Sequence, residues 1–339
     1  MPPADLRNLL TEAVADRVFP GAVYATGDLD TLDIGTVGRP HPDEPAPMVP
    51  DALFDLASLT KIIGTWALLG TIAADPDLRD LDAPLASLLP DAAGRPTAAV
   101  TLRQLLTHTA GMPLRANLAQ YGTRDPAEIR AAVLAEPLRR PPGEAVEYTD
   151  RAALILGYLL EDRLGPFDVA CRTRVWEPLG MTDTRFGPVP PERAVPTEYD
   201  AEAGAHVRGS VHDYSTRLLG GVSPVSGVFS TAADLALFCR AVLEGGAGWG
   251  AAPDWVATSL RVHTGDLWPP RGLGWHPALH ATEADDVWCH TGFTGTSLWV
   301  CRKQGRFGIL LTNKVLYTRD RKPLNTVRDR FWRLAFQTP

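Results

Sequence analysis

The chain has 339 residues, of which 45% are apolar and 22% charged, a length and balance that suit a large folded core and exclude a disordered chain. Its net charge is −7, and its basic residues are scattered, in runs no longer than pairs such as Arg139-Arg140. That excludes the basic stripe of a nucleic-acid-binding surface. The longest apolar stretch, residues 62–74, is broken by Gly64, Thr65, Gly70 and Thr71 and is too short to cross a bilayer, so no membrane partner is expected.

The opening segment, MPPADLRNLLTEAVADRVFPG, reads as an amphipathic helix ending near Val18. It lacks the basic start, apolar centre and small-residue cleavage site of a signal peptide, so the expected location is cytoplasmic. GAVYATG and TLDIGTVG read as two strands around a polar turn at residues 28–30. A proline-rich loop, GRPHPDEPAPMVPD, leads to a helix carrying Ser58 and Lys61 and closed by Asp75-Pro76. Helical spacing then dominates to about residue 265, in TLRQLLTH, DPAEIRAAVLAEPL, DRAALILGYLLEDRLG and TAADLALFCRAVLEGG. Strand patterns return in DDVWCHTG, TSLWVCRK and RFGILLTNK, and LNTVRDRFWRLAFQ reads as a terminal helix.

Strands at both ends and helices between them predict an α+β fold. Its antiparallel sheet is flanked by the terminal helices and interrupted by a mostly helical insertion. The expected division is a discontinuous sheet domain, residues 1–57 and 268–339, and a helical domain, residues 58–267. Cys171, Cys239, Cys289 and Cys301 form no C-x-x-C pair and read as buried free thiols. A bridge between Cys289 and Cys301 stays open if their strands pair in an oxidising compartment. Neither they nor the eight histidines have ligand spacing, so no metal or other cofactor is expected.

The chemistry concentrates in DLASLTKIIGTW. Lys61 falls in an apolar helix, one turn after Ser58, with no carboxylate at helical spacing. Ser58 falls at the helix start, where free N–H groups favour an anion. Burial disfavours the charged form of Lys61 and lowers its pKa, as a lysine that accepts a serine proton needs. The alternative is a lysine that snorkels from a helix end.

Around this pair the sequence resembles a known family. SLTK, LLTHTAGMP, PPGEAVEYTD, PLGMTDT, GGVSPVSGVFSTAADLALF and WCHTGFTGT follow in order and together resemble the serine beta-lactamase-like hydrolases. That superfamily includes class C beta-lactamases, DD-peptidases and lactamase-like carboxylesterases. The resemblance implies that Ser58 is the acylated nucleophile, Lys61 its partner, and Tyr148 the tyrosine that helps deprotonate the serine and returns the proton to the leaving group. It also implies that His290-Thr291-Gly292 stands at the K-T-G element beside the substrate. The N–H groups of Ser58 and Phe293 would then form the oxyanion hole.

Two positions depart from the best-known members: Asp150 replaces an asparagine and His290 a lysine. Both are expected near the substrate. Asp150 would also help keep Lys61 protonated and shift the base's work toward Tyr148, whereas a mostly neutral His290 weakens the case for beta-lactamase activity. Tyr148 and His290 also have purely structural readings, as a core tyrosine and a strand residue. His108 reads as a structural turn residue tied to backbone, and His212-Asp213 as scaffolding near the cleft. There is no G-x-S-x-G elbow, and GAGWGA follows a helix rather than a strand, so it implies no nucleotide. The expected activity is an acyl-enzyme serine hydrolase acting on a small ester or amide, most simply a carboxylesterase. A DD-peptidase or penicillin-binding enzyme, a beta-lactamase, and a lapsed binding protein are the alternatives.

Overall fold

In the computed structural model, which describes residues 4–114 and 117–336, the strands in chain order are β1 (Gly21–Gly27), β2 (Leu32–Gly38), β3 (Phe54–Asp55), β4 (Arg185–Phe186), β5 (Tyr199–Asp200), β6 (Ala205–His206), β7 (Val228–Ser230), β8 (His276–Pro277), β9 (Trp288–Thr291), β10 (Ser297–Cys301) and β11 (Arg306–Thr312). The two ends of the chain build one six-stranded antiparallel sheet in the order β2-β1-β11-β10-β9-β8. The strand alternation read in the sequence decides its two faces. Tyr24, Leu310, Trp299 and Cys289 pack on one side with helices Ala4–Ala15 and Lys322–Phe336. Val23, Ile309, Leu298 and Trp288 pack on the other with the helical part of the chain, including Phe238 of helix Ala232–Leu243. His290, two residues past Trp288 and opposite Leu298, therefore faces the helical side.

The structure differs from the sequence reading in three places. The first helix stops at Ala15, because Arg17 takes a left-handed φ of 57° and the Val18 N–H returns to the Ala13 carbonyl. The segment carrying Ser58 is not one regular helix: a 3₁₀ turn, Ala57–Leu59, leads into a π-helical stretch, Lys61–Trp66, and only then into an α-helix, Ala67–Ile72. Finally, β3, β7 and β4 form a small separate sheet that no sequence pattern announces, since its strands are two or three residues long.

All four cysteines are free and buried. Cys289 and Cys301 do lie on neighbouring strands, but Cys289 pairs in register with Trp299. No helix among the described residues is long and apolar enough to cross a membrane.

Candidate active site

The small sheet positions Ser58. Strand β3 pairs with β7, and the Leu56 N–H reaches the Val228 carbonyl at 2.9 Å, which carries the chain to the edge of the cleft. There Ala57 is forced to a φ of 46°, a conformation that costs a non-glycine residue strain and persists only when its surroundings over-determine it. Asp55 does so. Its buried carboxylate accepts the Ala57 N–H at 2.8 Å and the His212 N–H at 2.7 Å. Burial pushes this carboxyl up, and the two backbone donors pull it partway back. His212 and Asp213 thus act as scaffolding: His212 stacks on Phe293, and Asp213 caps helix Tyr214–Leu218.

Lys61 is 7% exposed, and its three ammonium donors are all used. They reach Ser58 Oγ at 3.0 Å, the Val225 carbonyl at 3.0 Å and Asp150 Oδ1 at 2.9 Å. Asp150 comes from the first turn of helix Asp150–Leu164, whose start is capped by the Thr149 hydroxyl. This overrides the lowering of the lysine pKa expected from burial, in the direction expected of Asp150. Burial alone would lower it, but the attraction of Asp150 and Tyr148 outweighs burial and holds Lys61 above the usual lysine range. Lys61 is an ammonium at neutral pH.

Tyr148 lies between this ammonium and two histidines. Lys61 Nζ is 5.3 Å from its ring centre, and the rings of His108 and His290 lie 4.5 and 6.4 Å away. The Tyr148 hydroxyl is buried and makes no geometrically sound hydrogen bond to any described residue. His108 holds the tyrosine in place: at a φ of 58° it turns back so that Nδ1 accepts the Thr149 N–H at 3.4 Å, while its carbonyl accepts the Glu147 N–H at 2.8 Å. Its structural reading fits this geometry. His290 is buried with Nδ1 unpartnered among the described residues.

Burial pushes His108 and His290 well below the normal histidine range and His276 down to about 3, and the charges of Arg271 and Lys61 add to the effect on His108 and His290. These imidazoles are neutral when folded, whereas unfolding lets them protonate near 6.5. Below pH 6.5 the unfolded state binds more protons, so stability must fall as the pH drops, starting at 6.5 and continuing toward the lower folded values. Each histidine contributes a slope of roughly 1.4 kcal/mol per pH unit over that window. The expected result is a midpoint of thermal unfolding that decreases steadily between pH 7 and pH 5, and is less steep in His290→Asn protein.

The turn between β9 and β10 closes the site. Two hydroxyls bolt it to the backbone just before Ser58: Thr294 donates to the Asp55 carbonyl at 2.7 Å and Thr296 to the Leu56 carbonyl at 2.9 Å. The approach is so close that a Cβ on Gly292 would sit 2.4 Å from the Leu56 oxygen, which is why a glycine stands there. Arg328 supports the turn from the other side, donating to the carbonyls of Gly292 and Thr296 and to Ser297 Oγ. Phe293, at the crest, has its backbone N–H committed to no hydrogen bond among the described residues.

These parts surround a cavity of about 180 Å³. Of the residues named from sequence, Ser58, Tyr148, His290, Thr291, Gly292 and Phe293 line it. Lys61 sits behind Ser58, and Asp150 behind Lys61, so Asp150 meets the lysine rather than the cavity. Sequence reading missed Arg271, His276, Arg321 and Arg328, which also line it. It likewise missed the two threonine bolts, although Thr294 and Thr296 flank the recognised His-Thr-Gly run.

Comparison with known proteins bears on the family and the fold. A family model described as Beta-lactamase matches residues 6–330. A protein of Escherichia coli K12 provisionally named a D-alanyl-D-alanine carboxypeptidase is 27% identical over 314 residues, covering 80% of this chain and 71% of its own. Among solved structures, a class C beta-lactamase from Rhodobacter sphaeroides matches with a TM-score of 0.74 at 20% identity, covering 97% of this chain and 99% of its own. EstCE1, a hydrolase with promiscuous acyltransferase activity, matches with a TM-score of 0.76 at 18% identity over 96% of this chain and 97% of its own. At such identities the structural matches speak for the fold, and the match along the sequence speaks for the family. The chain belongs to the beta-lactamase family.

Proposed function

We propose that the protein is a serine hydrolase that works through an acyl-enzyme on Ser58 and cleaves a small ester or amide, acting as a carboxylesterase. The observation that carries this reading is the 3.0 Å contact between Ser58 Oγ and Lys61 Nζ at the edge of a cavity that Tyr148 also lines. As an ammonium with all three donors engaged, Lys61 is a poor acceptor for the serine proton. Its role is to orient the Ser58 oxygen and to place positive charge beside the tyrosine. In its phenolate form Tyr148, whose oxygen has no hydrogen-bond partner of sound geometry among the described residues, takes the Ser58 proton as the serine attacks the acyl carbon. The N–H groups of Ser58 and Phe293 receive the oxyanion, and Tyr148 returns the proton to the leaving group. Water then repeats the sequence and frees the acid.

The neutral His290 favours an ester over a beta-lactam, because no cation stands at that point of the strand. A DD-carboxypeptidase is the second reading, favoured by the relatives that carry that name. The test is hydrolysis of p-nitrophenyl butyrate beside a chromogenic cephalosporin. A carboxylesterase cleaves the first with the higher kcat/KM; faster turnover of the cephalosporin would reverse the assignment.

A further inference from the structure

The crest of the β9–β10 turn is tied down on both sides of Phe293. Gly292 donates its N–H to the Thr296 carbonyl at 2.8 Å, and Thr294 Oγ1 donates to the Asp55 carbonyl at 2.7 Å. The Phe293 N–H itself has no acceptor among the described residues. A donor that receives an oxyanion has to be held in place before the charge develops. At Phe293 the ring is the part that is held.

Four side chains enclose that ring. His212 stacks on it, with 5.6 Å between ring centres and 29° between planes. Lys314 Nζ, Arg319 Cζ and Arg321 Cζ lie 4.9, 5.1 and 5.0 Å from its centre, all within the range of a cation–π attraction. One carboxylate joins two of the four. Glu198 Oε2 accepts from His212 Nε2 at 3.0 Å and from Arg319 Nη1 at 3.0 Å. Glu198, His212 and Arg319 do not line the cavity, so they meet the site through Phe293. His212 carries the network further: its backbone N–H binds Asp55, and the same carboxylate binds the N–H of Ala57, the residue before Ser58. One set of contacts therefore runs from the approach to one oxyanion donor to the ring of the other.

We propose that Glu198 is a positioning residue for the oxyanion hole. By joining His212 to Arg319 it clamps the Phe293 ring and aims the Phe293 N–H at the carbonyl oxygen of the substrate. Arg319 has 68% of its side chain exposed, and an ion pair of that kind contributes little to stability. Its effect belongs in the transition state. Losing an oxyanion donor outright costs on the order of 10²–10³ in kcat, and loosening one costs part of that.

The kinetic test rests on the acyl-enzyme reading. Glu198→Gln keeps the size of the side chain and removes its charge. It should lower kcat for p-nitrophenyl butyrate by about 10-fold and leave KM within about twofold, the pattern of an interaction made in the transition state. Phe293→Leu, which keeps the N–H and removes the ring, should lose a similar factor, and Phe293→Tyr should recover most of it. The double variant Glu198→Gln/Phe293→Leu should fall no further than Phe293→Leu alone. An unchanged kcat in Glu198→Gln, a change confined to KM, or losses that multiply in the double variant would overturn the proposal.

A measurement without substrate separates the clamp from the chemistry. In protein labelled with [¹⁵N]phenylalanine, the Phe293 amide is assigned by its disappearance in Phe293→Leu. Its order parameter should be near 0.85 in the wild type, as for rigid backbone, and fall toward 0.6 in Glu198→Gln. If Ser58 proves not to be acylated, this fall still supports the clamp, whereas equal order parameters refute it even if esters are cleaved.

Discussion

Replacing Ser58 with alanine is expected to lower kcat/KM for p-nitrophenyl butyrate by roughly 10⁴–10⁶-fold, the scale on which removing a nucleophile acts in serine hydrolases. The change removes one oxygen from a partly exposed turn and leaves its supports untouched. Asp55 still holds the Ala57 and His212 N–H groups, Thr294 and Thr296 still tie down the opposite turn, and Lys61 keeps Val225 and Asp150. The unfolding midpoint should therefore stay close to that of the wild type while activity disappears. Steady-state hydrolysis together with a thermal melt checks both halves. An alanine variant that retains most of its esterase activity would place the nucleophile elsewhere.

The second large effect belongs to Lys61. Lys61→Met takes away the ammonium that orients Ser58 and is expected to reduce kcat/KM by on the order of 10³-fold. It also strands the Asp150 carboxylate and the Val225 carbonyl behind the serine. Breaking such a pair from one side costs about 3 kcal/mol or more, because the remaining charge is left without its partner. Loss of activity alone would thus not distinguish chemistry from a weakened fold. The double variant Lys61→Met/Asp150→Asn does, since it removes the stranded charge as well. Urea unfolding should show it regaining a good part of the lost stability, while its activity stays as low as in the single variant. Activity that returns along with stability would make Lys61 a structural residue only.

Much of this site was legible because its residues lie in segments with strong local order. The sheet follows from alternation: Trp288 and His290 turn one way and Cys289 the other, as a strand requires. The Ser58–Lys61 spacing survives even though the helix there is irregular, because Ser58 lies in the 3₁₀ turn, where three residues make one turn, and the π stretch begins only at Lys61. What sequence could not supply came from chain segments far apart. The Val225 carbonyl that holds the lysine is 164 positions away, and Asp150 was placed near Lys61 only through the family resemblance, not by any local pattern. Once Asp150 arrives, it reverses the sign of the shift that burial alone would give. Arg271 was illegible for another reason: it follows an irregular loop with no periodicity, and only the position of that loop beside β8 brings it to the cavity. The small β3–β7–β4 sheet is too short for any pattern to register.

The central claim is that an acyl group passes through Ser58. Its most direct test is mass spectrometry of protein acid-quenched during turnover of p-nitrophenyl butyrate, followed by peptide mapping. A mass increase of one butyryl group on the peptide containing Ser58, absent from the alanine variant, is the predicted result. A butyryl group on a different residue, or substrate turnover without any covalent adduct under conditions where hydrolysis of the adduct is slowed, would contradict the account.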